Sequence, residues 1–278
     1  MLLTLILLTL PTGLYAALSY PEPRLLTTDI YVVEAPYGGP IASDASIVVT
    51  DRDVIVIDAH YTPEAGAALV SAVARLTDKP LRYLIHTHYH KDHMGGNGAF
   101  GPDVTVVSHV NSYQLILDLP RRDGRLPDMG VDGKFFLHRN QNSLECYTYG
   151  GAHTATDVYI WQPERRVLWV GDTAFLRSLG YMADGYPDSW LEALDHLLEF
   201  PAEYIVSGHG PVMSYDDLKE YRDYFAWFLN AVKERIQRGE SLAQIKHTLR
   251  LPPEYQGWVF SGFLWEGNIE RFYKLLAK

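Results

Sequence analysis

Cysteine is nearly absent from this 278-residue chain: the single Cys146 cannot close an internal disulfide, and by itself it cannot build a thiolate zinc site. Basic charge is scarce as well. With 24 Lys and Arg against 34 Asp and Glu, the formal net charge of −10 repels phosphate backbones and anionic lipid, which disfavours a nucleic-acid partner. Long apolar runs are missing too. Residues Met1 to Leu10 read MLLTLILLTL, too short to span a bilayer, and Pro11 and Gly13 interrupt the run, so no stable membrane insertion is expected. There is no G-x-S-x-G elbow to hold a serine nucleophile, and no internal repeat. What the chain does have is 47% hydrophobic content with 21% charged residues, enough for a sizeable core and unlike a disordered, collagenous or coiled-coil chain. It also has 11 histidines, the side chain most used both to bind metal and to carry protons near neutral pH.

The apolar start, followed by the small residues Ala16 and Ala17, predicts a signal peptide over residues 1–17 and an exported, periplasmic or extracellular protein. Its n-region lacks Lys and Arg, and without a working leader the protein would be cytoplasmic. Beyond it, β-branched runs predict strands at Ile47–Thr50, Val54–Ile57, Leu81–Ile85 and Val104–Val107, with helices at Pro63–Leu76 and Asn111–Leu119. A second cycle follows with strands at Tyr147–Tyr149, Val158–Trp161, Val167–Val170 and Tyr204–Val206. Between the last two lies a helix at Ser189–Glu199, opened by a Ser189/Glu192 capping box behind Pro187. Two alternating cycles argue for an α/β core in which two sheets pack face to face under helices. Residues 216–278 read instead as a helical C-terminal extension of the same domain. Leu218, Tyr221, Phe225, Phe228, Val232 and Ile236 recur every three or four residues, Leu242 to Leu249 suggests a second helix and Ile269 to Leu276 a third. The aromatic stretch between them, with Trp258, Phe260, Phe263 and Trp265, either packs on the core or overhangs a pocket.

The histidines concentrate after the third predicted strand. Leu84 to Asn97 reads LIHTHYHKDHMGGN, placing His88, His90, Asp92 and His93 within six residues and ahead of Gly95 and Gly96. A glycine-bearing loop at a strand end can converge such side chains on one point, and nitrogen and carboxylate donors without thiolate suit a catalytic zinc or iron site. His153, Asp172 and His209 each stand just past a predicted strand beside glycine or a small residue. Five histidines and two aspartates exceed what one tetrahedral ion needs, which implies two metals. Gly96, Gly98 and Gly101 match G-x-G-x-x-G but follow a histidine loop, so the dinucleotide reading fails its context.

This order of residues resembles the metallo-β-lactamase superfamily, whose hallmark is an H-x-H-x-D-H loop followed by distant His, Asp and His. The resemblance covers about residues 25–215 and implies a four-layer αββα sandwich over 18–215 with the metals at one edge of the sheets. It assigns His88, His90 and His153 to one metal, Asp92, His93 and His209 to the other, and Asp172 to a bridging position. Asp58, in VIVIDAH, resembles the family's buried aspartate that supports the metal loop from behind. It further implies two divalent ions, with zinc expected and iron or manganese open. The implied chemistry is hydrolysis by a metal-bridging hydroxide of an ester, thioester, lactone or amide in a small substrate, with Asp92 orienting that hydroxide and carrying its proton.

Within the superfamily, many zinc β-lactamases carry Cys or Ser where this chain has Asp172, and a lysine where it has Phe175. The chain is more similar to the SoxH-like and glyoxalase II-like branch. Zinc β-lactamase activity and iron-dependent sulfur or oxygen chemistry stand as alternatives. Arg177, Tyr181 and Asp184 are candidate substrate contacts; the segment Leu179–Trp190 and the loop Pro120–Gly133 are candidate pocket walls.

Overall fold

β-branched residues alternate along the central strands so that each strand feeds two cores, and this fixes the layering. In the computed structural model, which describes residues 20–119 and 124–277, the signal-peptide segment and the start of the Pro120 loop lie outside the described residues. The first sheet runs in chain order through β1 (Arg24–Thr27), β2 (Ile30–Val33), β3 (Ala45–Val49), β4 (Val54–Ile57), β5 (Leu81–Ile85), β6 (Thr105–His109) and β7 (Met129–Val131). Its first four strands are antiparallel. Helix α1 (Pro63–Leu76) then crosses to β5, β4 to β7 run parallel, and the short helices α2 (Lys91–Met94) and α3 (Ser112–Leu117) stand before and after β6. The second sheet holds β8 (Lys134–Leu137), β9 (Leu144–Tyr147), β10 (Tyr159–Gln162), β11 (Val167–Gly171) and β12 (Tyr204–Ser207), in the order β12-β11-β10-β9-β8.

On β4, Ile55 and Ile57 turn toward the second sheet and meet the layer that holds Ile160, Trp169 and Val206, while Val54 and Val56 turn outward to Leu69 and Val73 of α1. The Trp169 indole N–H donates to Ser46 Oγ at 2.8 Å, joining the two sheets through the inner layer. The outer face of the second sheet is covered by α4 (Pro187–Leu197), α5 (Tyr215–Gln237), α6 (Leu242–Thr248) and α7 (Ser261–Leu276). The result is a helix–sheet–sheet–helix sandwich, the α/β class expected. Leu218, Tyr221, Phe225, Phe228 and Val232 form the buried stripe of α5, and Ile269 and Phe272 of α7 share the same core. The extension and the second sheet therefore share apolar contacts. Ile269→Val is expected to cost about 1 kcal/mol and to lower one melting transition by about 2–4 °C; a separate low-temperature transition in calorimetry would show that the helices melt on their own.

Three local readings need correction. Helix α4 starts at Pro187, with Tyr186 at its N-cap, because proline suits the first turn of a helix. Ser189 therefore lies inside the helix, and its hydroxyl donates to the Gly151 carbonyl rather than forming a capping box. The strand expected at Tyr147–Tyr149 sits at Leu144–Tyr147, paired with both neighbours. Phe263 and Trp265 belong to α7 and not to a loop before it.

Candidate metal centre

The segments that carry the candidate ligands and Asp58 emerge at one edge of the two sheets. Asp58 follows β4, the histidine loop and the short helix α2 (Lys91–Met94) follow β5, His153 lies between β9 and β10, Asp172 follows β11, and His209 follows β12. Close approach there depends on glycine. A Cβ on Gly208 would come within 2.0 Å of Asp172 Oδ1 and 2.5 Å of the His93 ring, so the chain reaches His209 only because residue 208 has no side chain. On the far side of the loop, a Cβ on Gly96 would lie 2.1 Å from the Ala59 carbonyl, which explains the Gly-Gly pair as packing against the turn that carries Asp58.

The seven residues come together. His88, His90 and His153 offer ligand atoms within 4.8 Å of one another, as do Asp92, His93 and His209, and as do His88, His93 and Asp172. Asp172 lies between the groups, with Oδ2 3.7 Å from His153 Nε2 and 3.4 Å from His209 Nε2, and Oδ1 3.3 Å from His93 Nε2. Asp92 Oδ2 stands 3.2 Å from His209 Nε2.

A layer of hydrogen bonds fixes which nitrogen three of the imidazoles present. His93 Nδ1 donates to Asp58 Oδ2 at 2.8 Å, and His209 Nδ1 donates to the Ala42 carbonyl at 2.9 Å. Thr87 donates its hydroxyl to Asp58 Oδ2 at 2.7 Å, so its oxygen is free to accept from His88 Nδ1 at 3.1 Å. In all three rings Nδ1 is the nitrogen committed to the protein, and Nε2 is the one turned into the site. His88 Nε2 and His93 Nε2 are buried with no hydrogen-bond partner among the described residues. Buried nitrogens oriented in this way are costly in a finished core and suited to ligating a cation, so the donor set fits divalent metal. His90 is oriented the other way, with Nε2 2.9 Å from Asp184 Oδ2 and Nδ1 3.0 Å from His153 Nε2.

The electrostatics agree with a site built for positive charge. Burial drives the His88 and His153 imidazoles toward neutrality, His153 down to about 3. Burial acts the same way on His93, but the carboxylates of Asp172, Asp92 and Asp58 outweigh it and hold the ring well above its ordinary value. His209 is likewise pushed up to about 10, burial being overcome by Asp172 and Asp92. Burial would raise the Asp92 carboxyl, yet His93 and His209 bring it down to about 2. Without bound cations the charge of the three carboxylates is only partly offset by protons on two imidazoles, and metal binding would displace those protons.

Two supporting residues carry no signal in the sequence. The Ala42 carbonyl and Ser43, whose hydroxyl donates to the Asp92 carbonyl at 2.6 Å, come from a loop nearly fifty residues upstream of the ligands. Thr87 sits inside the histidine run and was hidden by it. Of the candidate substrate contacts, Tyr181 and Asp184 line a cavity of about 510 Å³ shared with His90, Asp92, Asp172 and His209. Arg177 does not line it; its guanidinium turns outward to Glu220 at 3.3 Å. Asp184 also holds His90, as a carboxylate behind a ligating histidine does. Asp184→Ala is expected to weaken metal binding about tenfold, the lower end of such effects because the Asp184 side chain is 46% exposed. Competition with a chromogenic chelator checks this, and unchanged affinity would remove Asp184 from the metal's support.

A family model described as the Metallo-beta-lactamase superfamily matches residues 38–209. The chain belongs to this superfamily. It is 27% identical over 191 residues to the "Metallo-beta-lactamase type 2" of Bacteroides fragilis, covering 66% of this chain and 75% of that protein. It is 24% identical over 225 residues to the protein of the same name from Elizabethkingia meningoseptica, covering 79% and 78%. Among solved structures, a metallo-beta-lactamase from Pontibacter korlensis aligns with a TM-score of 0.67 at 24% identity, over 74% of this chain and 98% of that one. A variant of the sec-alkyl sulfatase PisA1 aligns with a TM-score of 0.74 at 16% identity, over 90% of this chain and 49% of that one. Both structural likenesses speak to the fold alone. A metal-dependent hydrolase acting on a small molecule is the general activity that membership supports, and among the described residues no helix is long and apolar enough to cross a membrane.

Proposed function

We propose that this superfamily member is a binuclear metal-dependent hydrolase, zinc being the ion its donors suit, that cleaves an ester, thioester, lactone or amide bond in a small substrate. The observation that carries the reading is the pair of donor triads, His88/His90/His153 and Asp92/His93/His209, with Asp172 between them. Held by these residues, a pair of divalent cations would supply a water of near-neutral pKa and a Lewis acid for the scissile carbonyl. The chain's own groups do the rest. The Asp92 side chain, 29% exposed at the cavity and held by His209, is placed to accept the proton the attacking water gives up and to return it to the leaving group. The Nδ1 contacts of His88, His93 and His209 keep the three rings rigid through the cycle, so no reorganisation is needed as charge develops.

The names of the relatives favour a second reading, hydrolysis of a β-lactam amide; Asp172 and Phe175, where many such enzymes have Cys or Ser and Lys, favour the broader SoxH-like or glyoxalase II-like hydrolases. One screen separates them. The metal-loaded chain is offered a chromogenic cephalosporin, a thioester, a lactone and a phosphodiester, alongside metal analysis. Chelator-sensitive turnover of the thioester or lactone, restored by zinc, is the expected result. Two bound irons with oxygen consumption and no hydrolysis would overturn the proposal in favour of oxidoreductase chemistry. The reading includes export by the segment 1–17, and full-length protein in a cytosolic fraction would remove that part.

A further inference from the structure

The cavity over the metal centre is apolar on the sides away from the ligands. Phe175 stacks on His209 with ring centroids 6.2 Å apart, Tyr181 lies 6.3 Å from His90, and Tyr37 meets Phe260 edge to face at 5.1 Å. Leu179 and Leu264 complete this lining. Phe260 and Leu264 come from the start of the C-terminal helix, beyond residues 38–209 that match the family. Tyr37, Tyr181 and Phe260 are 44%, 50% and 39% exposed, so three large aromatic side chains at one mouth are left facing water. Apolar surface gathered in this way marks a place that a ligand covers.

The wall is fastened in place. The Leu179 amide donates to the Val259 carbonyl at 3.0 Å, and the Val259 amide to the Arg177 carbonyl at 2.9 Å, tying the segment after Asp172 to the segment before α7. The next residue, Phe260, holds φ of 62°, a left-handed conformation that a bulky side chain adopts only when its surroundings enforce it. That conformation places the ring against Tyr37.

We propose that the substrate carries an uncharged apolar arm, a hydrocarbon or aromatic chain attached to the labile bond, and that Phe260 and Leu264 are the specificity-determining residues that receive it. The proposal rests on the hydrolase reading for the bond and on the wall for the arm. Lys91, the lysine among the lining residues, meets the face of Tyr61 at 5.3 Å, and the carboxylates there belong to the metal centre (Asp92, Asp172) or hold His90 (Asp184), so the wall of Phe260 and Leu264 itself presents no charge to an arm.

The test uses the metal-loaded full chain and a series of p-nitrophenyl esters from acetate to decanoate. A methylene fully withdrawn from water is worth about fourfold in binding, so kcat/KM is expected to rise about two- to fourfold per added methylene until the arm outgrows the cavity. Phe260→Gly and Leu264→Ala flatten that rise. Glycine suits the left-handed backbone at residue 260, so the first variant removes the ring without straining the fold. Phe263→Ala, on the same helix but 83% exposed and outside the lining, keeps the wild-type slope. Binding of 1-decanol, followed by calorimetry, supplies a readout independent of turnover and is expected to weaken in the same two variants. Hydrolysis that ignores chain length, or a slope untouched in both variants, overturns the apolar arm and leaves the hydrolase standing. If no ester is hydrolysed but 1-decanol binds and is lost with Phe260 and Leu264, ester cleavage drops out of the hydrolase reading while the arm site holds.

Discussion

His88→Ala is expected to remove metal from the site and to lower turnover by at least about a thousandfold. The side chain is 1% exposed, its Nδ1 is satisfied through Thr87 and Asp58, and its Nε2 is buried without a partner. That nitrogen has no other use in the fold. Alanine deletes one of three donors in a triad, and two remaining imidazoles hold a divalent ion far more weakly. Metal activation of a water is worth several kcal/mol of barrier, and about 4 kcal/mol corresponds to about a thousandfold in rate. Asp172→Ala is expected to act at least as strongly, because its two oxygens stand within 3.3–3.7 Å of His93, His153 and His209 and so serve both groups. Elemental analysis of the purified variants together with kcat on the substrate from the screen checks both. A variant that has lost its metal but turns over at the wild-type rate would refute the metal-dependent account.

The candidate metal centre was legible as a cluster because its chemistry is local. Four potential ligands within His88–His93 can be read without knowing the fold, and His153, Asp172 and His209 each follow a run that reads as a strand. Among the strands beside the site, Val54–Ile57 and Val167–Gly171 are buried along their whole length, and the sequence shows this as the unbroken apolar runs VIVI and VLWV. Helix α5 was legible for the related reason that one face of it, Leu218 to Val232, meets a core over about four turns. Edge strands lack that signal. Arg24–Thr27 has two exposed residues, Met129–Val131 has two, and both exist because a neighbour offers a free edge to pair with. The opening of α4 was misplaced because Ser189 and Glu192 have the spacing of a cap, whereas the Gly151 carbonyl, distant in sequence, claims the serine hydroxyl.

The supporting layer was legible only in part, and the difference again lies in distance along the chain. Asp58 could be placed because it ends a strand in a recognisable string. Asp184 could be placed near the site but not behind His90, since a contact across 94 residues depends on how the loop after Asp172 folds back. Ala42 contributes only a backbone carbonyl, and any residue has one. What the fold adds to the sequence is therefore mainly orientation: it decides which ring nitrogen of each histidine is available.

Orientation can be tested by changing Asp58 to asparagine, which is expected to weaken the metal held by His93 about a hundredfold. Asp58 adopts φ of 60°, a conformation asparagine tolerates better than alanine, so the backbone is preserved while the acceptor chemistry changes. One oxygen still accepts from the Thr87 amide at 2.8 Å, but the other becomes an NH2 group facing two donors, Thr87 Oγ1 at 2.7 Å and His93 Nδ1 at 2.8 Å. The Thr87 hydroxyl can rotate. The imidazole can relieve the clash only by moving its proton from Nδ1 to Nε2, and a protonated Nε2 cannot ligate. Metal content is therefore expected to fall by about one equivalent per chain in competition with a chelator, with a stability loss of about 1–3 kcal/mol from the buried donor left unpaired. Because His88 depends on the same threonine hydroxyl, its own affinity for metal is expected to change less than that of His93 but in the same direction. Retention of both metals at native affinity would show that the carboxylate does not set the tautomer of His93, and that the ring is held by packing alone.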